Sequence, residues 1–273
     1  MSRSKDTSMP GPGLIQVPVE REGKPPEPDW VVVEEPLQIR LAGEPLAVTM
    51  RTPGADRELA AGFVFTEGLI DGPGDLQSVA MATDIIESSH PENTVNVTLN
   101  EAAEARLPER RELAARDFRA VASCGVCGRK TIDGLRQNLP SLKPFDVPLS
   151  LVRQLPERMR DHQCLFKMTG GIHAAGLFSG DGELVVVFED IGRHNAVDKL
   201  IGDALLRGRW PLDEHILVSS GRVGFEVIQK GLRAGIPVVA AVGAASSLAV
   251  EMAHEAGAVL YSFVGPRRGN RHA

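Results

Sequence analysis

The sequence predicts an α/β protein: a largely parallel sheet in the C-terminal half, joined to a smaller N-terminal part of mixed α/β character. Three observations lead there. From residue 182 onward, apolar strand-like runs alternate with helical stripes, the pattern of a sheet built by crossover connections. Glycine is abundant, 28 of 273 residues, while aromatics are only 4%; that balance suits helices lying close on strands and loops shaped by glycine. Hydrophobic residues make up 42% of the chain, enough for a sizeable core.

Residues 1–28 are polar and proline-rich, with little periodicity, and read as a flexible tail that joins no core. Residues 29–147 form the mixed part. There "VVVEEPLQIRLAGEPLAVTMRT" gives two strands around the turn "AGEP", with alternation at Leu37, Ile39 and Leu41. "ADRELAAGFVFTEGLI" is helical and stopped by "DGPG"; "SVAMATDII" and "TVNVTLN" are further strands; residues 103–118 are charged and helical in places. The stretch "VASCGVCGRKT", residues 121–131, follows as a glycine-loosened loop.

Residues 148–273 form the second part. "SLVRQLPERMRDH" reads as one helix despite Pro156, and "GELVVVFED" as a buried strand. After "IGRHN", Val197, Leu200, Ile201, Ala204 and Leu205 make the i, i+3, i+4, i+7, i+8 stripe of a helix that lays one face on a sheet. "HILVSS" is the next strand, and "FEVIQKGLRAG" a helix ending at Gly235. "IPVVAAV", a helix from Ser246 or Ser247, and the strand "AVLYSFV" complete the series.

Composition excludes several functions. A net charge of −6 argues against general nucleic-acid binding, which needs a dense basic surface to release counterions. Apolar stretches such as "IPVVAAVGAA" are too short for a membrane span of about 20 residues. Three cysteines and no N-terminal apolar run fit a cytoplasmic protein with reduced thiols.

In open α/β sheets, ligands gather beyond the carboxyl ends of the strands. Those ends are "EDIGRHN", "SSGRVG", "VGAASS" and "FVGPRR", each rich in Gly, Ser, Asn or Arg. Glycine lets backbone N–H groups approach an anion, and Arg193, Arg222, Arg267 and Arg268 can supply charge-assisted bonds to phosphate. Four such loops at one edge predict a phosphate-bearing ligand. None of them is a P-loop or a dinucleotide fingerprint. His194 beside Asp190 could do acid–base work, or Asp190 could cap the next helix while His194 packs; His173 in "TGGIHAAG" faces either ligand or core.

Cys124 and Cys127 leave three readings open. A structural zinc needs two more ligands, for which His162 and Cys164 are candidates. A dithiol oxidoreductase would place the pair at a helix N-terminus after a strand. A thiol carrier needs a nucleophilic cysteine on a mobile loop, with Arg129 and Lys130 able to stabilise a thiolate or persulfide anion. Taken alone, Cys164 reads as a buried core cysteine.

"SCGVCG", "TGGIHAAG", "EDIGRHNAVDK", "SGRVGFEVIQKG" and "GIPVVAAVGAASSLAVEMA", in this order, resemble the formate dehydrogenase accessory sulfurtransferase family from about residue 30 to 265. The resemblance implies a homodimeric cytoplasmic sulfur carrier with a fold like that of cytidine deaminases. The deaminases' own zinc signature is missing here, so the resemblance implies no deamination and no metal held by side chains. A cysteine desulfurase would load Cys124 with sulfur as a persulfide, with Cys127 as partner. The sulfur would pass to a client, the molybdenum (or tungsten) of a bis(molybdopterin guanine dinucleotide) cofactor bound for formate dehydrogenase. A non-catalytic molybdenum-cofactor chaperone and a zinc-stabilised nucleotide-binding enzyme are the alternatives. The client's contacts would be His173, Arg193, His194, Asn195, Ser220, Gly221, Arg222 and the run Phe263, Val264, Gly265, Pro266, Arg267 and Arg268. In the family an Arg follows the Phe sooner; here Gly265-Pro266 intervene and Arg267 or Arg268 supplies the charge.

Overall fold

Two sheets face each other across a helical layer in a computed structural model that describes residues 12–83, 89–115, 140 and 142–272. The smaller sheet has the strand order β4-β3-β6-β5, from β3 (Glu35–Leu41), β4 (Glu44–Arg51), β5 (Leu76–Met81) and β6 (Thr94–Leu99). The predicted turn closes the β3–β4 hairpin at Ala42 and Gly43, whose φ values of 50° and 80° match the two positive values a tight hairpin demands. Leu37, Ile39 and Leu41 all face the core, as their alternation predicted.

The larger sheet has the order β12-β11-β10-β9-β7-β8. Its strands are β7 (His173–Ser179), β8 (Leu184–Asp190), β9 (His215–Ser219), β10 (Val238–Ala241), β11 (Val259–Gly265) and β12 (Arg268–His272). The predicted strand–helix alternation holds through α6 (Arg193–Leu206), α7 (Phe225–Arg233) and α8 (Ser247–Ala256). The expected parallel pairing holds only in part: β9, β10 and β11 pair in parallel, but β7 runs antiparallel between β8 and β9, and β12 antiparallel to β11. Strand β7, "HAAGLFS", is too poor in branched residues to announce itself. Its Gly176 is small by necessity, because a Cβ there would lie 3.0 Å from Met159 Sδ and from the Phe178 ring.

Two further expectations are corrected. The tail assigned to residues 1–28 does not extend over residues 14–28, because β1 (Leu14–Val19) pairs antiparallel with β2 (Glu27–Val32). The prolines obscured this: Pro18 and Pro28 face each other in a two-stranded sheet that has free edges to accommodate them. The single helix expected over 150–162 is two, α3 (Leu149–Val152) and α4 (Leu155–Arg160). Pro156 sits in the first turn of the second, where its missing N–H costs nothing.

Helix α6 is buried from Asn195 to Leu205, not along one stripe, because α1 (Asp56–Thr66) lies against it from the side of the smaller sheet. The two helices touch backbone to backbone. A Cβ on Gly62 would stand 1.9 Å from the Asp198 carbonyl oxygen, and one on Gly202 1.8 Å from that of Glu58. A second apolar core, with Val152, Leu155, Met159, Phe178 and Tyr261, fills the opposite side of the larger sheet under α3 and α4. No helix among the described residues is long and apolar enough to cross a membrane.

Charge is buried in the same layer. Lys230 Nζ of α7 lies 2.9 Å from both carboxylate oxygens of Asp198, and Thr66 of α1 donates its hydroxyl to Asp198 Oδ1 at 2.8 Å. Burial raises the Asp198 carboxyl above its usual range, with Lys230 opposing. Burial works to lower the pKa of Lys230, but Asp198 and Glu67 outweigh it and hold the ammonium charged.

Replacing Gly202→Ala should cost about 3 kcal/mol or more by forcing the helices apart, whereas Gly74→Ala, with open space around it, should be near neutral in a thermal melt. Lys230→Met should cost about 3–5 kcal/mol by leaving a carboxylate buried and uncompensated. Asp198→Asn combined with Lys230→Met should recover most of that loss in denaturant titrations.

Candidate functional site

The reversed direction of β7 builds the site. Because β7 is antiparallel to both neighbours, its first residue lies beside the last residues of β8 and β9: His173 is opposite Asp190, and Ala175 opposite Ser219. Two of the four predicted strand-end loops therefore meet beside the start of β7. Ser220 ties them, its N–H donating to the Ala174 carbonyl at 2.9 Å and its Oγ accepting from Ala174 N–H at 2.8 Å. Gly221 packs on the His173 ring; a Cβ there would be 3.2 Å from Nδ1 and 4.0 Å from Arg193 Cδ.

The remaining two strand-end loops are joined by backbone bonds. Gly243 N–H donates to the Gly221 carbonyl at 3.0 Å, and Phe263 N–H to the Gly243 carbonyl at 2.9 Å. Gly243 must be glycine, since a Cβ would lie 2.9 Å from Arg222 N and from Gly221 O. A register shift between Ser262 and Gly265 throws Phe263 into the left-handed region at φ 52°, a strained conformation for an aromatic residue. Its half-exposed ring is covered by the Arg268 guanidinium, 5.1 Å from the centroid. Val264 is buried, and the Pro266 carbonyl accepts from Arg153 at 2.9 Å.

Asp190 organises the loop between β8 and α6. Its Oδ1 accepts from Gly192 N–H at 2.8 Å and Asn195 Nδ2 at 3.0 Å, while Oδ2 meets Lys199 Nζ at 2.7 Å and Thr52 N–H at 3.2 Å. Neither expected role holds: no side chain caps α6, and Asp190 is paired with Lys199 and not with His194. Asn195 is spent in the same way, with its amide also donating to the Met50 carbonyl at 2.7 Å. Thr52 and Lys199 were invisible in the sequence because they act from a distant strand and from the second turn of a helix.

His194 finds its carboxylate elsewhere. Its Nε2 lies 2.8 Å from Glu226 Oε2 on α7 and 3.2 Å from Arg193 Nε. One nitrogen cannot donate to the first and accept from the second. The shorter, charge-assisted contact assigns Nε2–H to Glu226. Glu226 was the residue missed; its position in the first turn of the helix after the SGR loop was the available signal.

Arg193 and His194 open a 14-residue helix with no acidic residue in its first turn, where cations oppose the helix dipole. Among the described residues no carboxylate pairs with Arg193, Arg222 or Arg267. Arg222 and Arg267 are exposed. His173 is held neutral: burial lowers its pKa most, followed by Arg193 and His194, against Asp190.

Cys124, Cys127, Arg129 and Lys130 lie outside the described residues. Cys164, expected in the core, is exposed as the first residue of α5 (Cys164–Thr169), because the backbone N–H groups of Leu165 and Phe166 turn inward to Glu189 at 2.9 and 2.8 Å. No group of three or more His, Cys, Asp or Glu side chains among the described residues is placed to hold a metal ion.

Fold and loops thus define an α/β protein that presents cations without a carboxylate partner among the described residues, and glycine-shaped backbone, at one edge of a mixed six-stranded sheet. The chain belongs to the FdhD/NarQ family, which matches residues 32–272. It is 47% identical over 242 residues to the sulfur carrier protein FdhD of Streptomyces coelicolor, covering 87% of this chain and 84% of the relative. It is 40% identical over 258 residues to the protein of the same name from Sulfurisphaera tokodaii, covering 92% and 91%. The crystal structure of a candidate formate dehydrogenase accessory protein from Desulfotalea psychrophila shares the fold, with a TM-score of 0.73, 24% identity and 95% of each chain covered.

A histidine held neutral by folding gives up stability when acid protonates the unfolded chain first. The His173 contribution is complete above the unfolded value of 6.5 and falls away as pH drops below it toward the lowered folded value. His215, lowered by burial and then by Arg209, acts in the same sense. The stability loss between pH 6.5 and 5 should therefore be smaller in His173→Asn, and smaller again when His215→Asn is added.

Proposed function

We propose that the chain is a sulfur carrier serving formate dehydrogenase maturation. The observation that carries this is the set of cations on the strand-end loops that no described carboxylate pairs with, in a chain that is 47% identical to a named sulfur carrier. A carrier with thiol chemistry alone has no use for Arg193 at the positive end of a helix; a carrier whose client bears phosphates does.

In this reading Cys124 takes sulfur from a cysteine desulfurase. Its thiolate attacks the outer sulfur of the donor persulfide; a new S–S bond forms on Cys124, the donor S–S bond breaks, and the donor cysteine leaves as thiolate. Cys127 is the second thiol of the pair. The client substrate is a molybdenum bis(molybdopterin guanine dinucleotide) cofactor, whose guanine-nucleotide and phosphate ends meet Arg193, Arg222, Arg267 and Arg268. His173 offers a neutral ring, and the Arg268–Phe263 pair offers a flat cationic surface beside them. Asn195 and Asp190 hold the loop and do not contact the client. The homodimer, the cytoplasmic location and the likeness to cytidine deaminases expected from the sequence belong to the same proposal; the order β8-β7-β9-β10-β11 and its directions support the last.

The test is intact mass after incubation with a cysteine desulfurase and cysteine, without reductant. Wild type should gain one sulfur that reduction removes, Cys127→Ala should retain some loading, and Cys124→Ala should gain none. If wild type gained no sulfur from an active desulfurase, the chain would be a cofactor chaperone whose cysteines do no chemistry.

A further inference from the structure

Helices α6 and α7 are joined by two ionic rungs one turn apart. The inner rung is Asp198–Lys230, fully buried. The outer rung, four residues earlier on each helix, is His194–Glu226, with roughly a quarter and a fifth of the side chains exposed at the site. The inner rung carries fixed charge and sets the register of the helices. The outer rung contains the one imidazole of the four side chains, with a second ring nitrogen, Nδ1, beyond the one that meets Glu226.

The groups facing His194 come from every neighbouring element. Arg193 precedes it on α6, Glu226 lies across on α7, and the neutral His173 ring reaches it electrostatically from β7. Asp190 at the end of β8 is committed to Lys199, and Lys230, deeper on α7, is committed to Asp198, with Glu67, the residue after α1, at 3.5 Å. Glu226 is therefore the carboxylate available to a charged His194 ring. With Nε2–H on Glu226, the neutral ring keeps its lone pair on Nδ1.

We propose that Glu226 is a positioning residue for His194, and that His194 takes up a proton at Nδ1 when the site binds a phosphate-bearing ligand. One N–H bond forms, the proton comes from solvent, and no other covalent bond changes. Glu226 fixes the ring and balances its new charge, so that the ligand is met by Arg193 and an imidazolium together. The site then discriminates by charge: a dianionic phosphate recruits the proton, and a neutral ligand does not. This rests on the phosphate-bearing client of the proposed function.

Calorimetric titration with guanosine diphosphate tests it, in buffers of different ionisation enthalpy between pH 7.5 and 8.5. There the terminal phosphate, with a second pKa of about 6, has already lost its own proton. Binding to wild type should take up a proton, and affinity should weaken with rising pH by up to about tenfold per unit, the limit for one linked proton. His194→Asn and Glu226→Gln should lose the uptake and flatten the pH dependence while keeping wild-type melting temperatures to within a few degrees. His173→Asn, whatever it costs in affinity, should keep the slope. Nucleotide binding without proton uptake, or a slope that survives in His194→Asn, would overturn the inference and leave the sulfur-carrier reading standing. No binding of the nucleotide by folded wild type at any pH would instead overturn the phosphate-bearing client, and this inference with it.

Discussion

Asp190 and Lys199 hold the site to both halves of the molecule. The carboxylate sits at the end of β8, with no exposed surface, and collects four donors: an ammonium, a side-chain amide and two backbone N–H groups. One of those backbone groups belongs to Thr52, just past β4 of the smaller sheet, and Lys199 also donates to the Thr52 carbonyl at 2.8 Å. A buried ion pair is a doubtful source of net stability, since desolvation offsets much of its attraction. Its value here is registry. The loop that presents Arg193 and His194 cannot move without breaking bonds to a strand of the other sheet.

Much of the architecture was legible because it follows from short-range rules. The hairpin at Ala42–Gly43, the cap at Ser246, whose side chain accepts from Ala249 N–H, and the stop at Gly235 each reflect a local need of the backbone. What escaped was long-range. Gly176 of β7 is small because Met159 of α4 and the strand's own Phe178 crowd it, and crowding by a residue elsewhere in the fold leaves no period in the sequence. The reversed β7 is also what turns four separate strand ends into one site.

The candidate site was legible in outline and misread in its pairings. Glycine-rich loops with arginines pointed to one edge of the sheet, and His173 and Gly221 do meet there. But adjacency in sequence suggested Asp190 as the partner of His194. The helix geometry instead turns His194 toward α7, leaving Asp190 to Lys199. Asn195, two residues past Arg193, faces inward because one further step around α6 carries it from the site to the smaller sheet.

Strand β12 closes one side of the larger sheet, and among the described strands nothing pairs beyond it. Alternate backbone N–H and C=O groups of β12 therefore point away from the sheet with no described strand to meet them. The strand reads Arg268, Gly269, Asn270, Arg271, His272. Arg271 is paired with Asp146 at 2.9 Å and Arg268 lies over the Phe263 ring, so both charges on this short edge are held by neighbours within the chain. An incoming strand would have to displace those contacts, and a charged edge held in this way disfavours extension of the sheet by another.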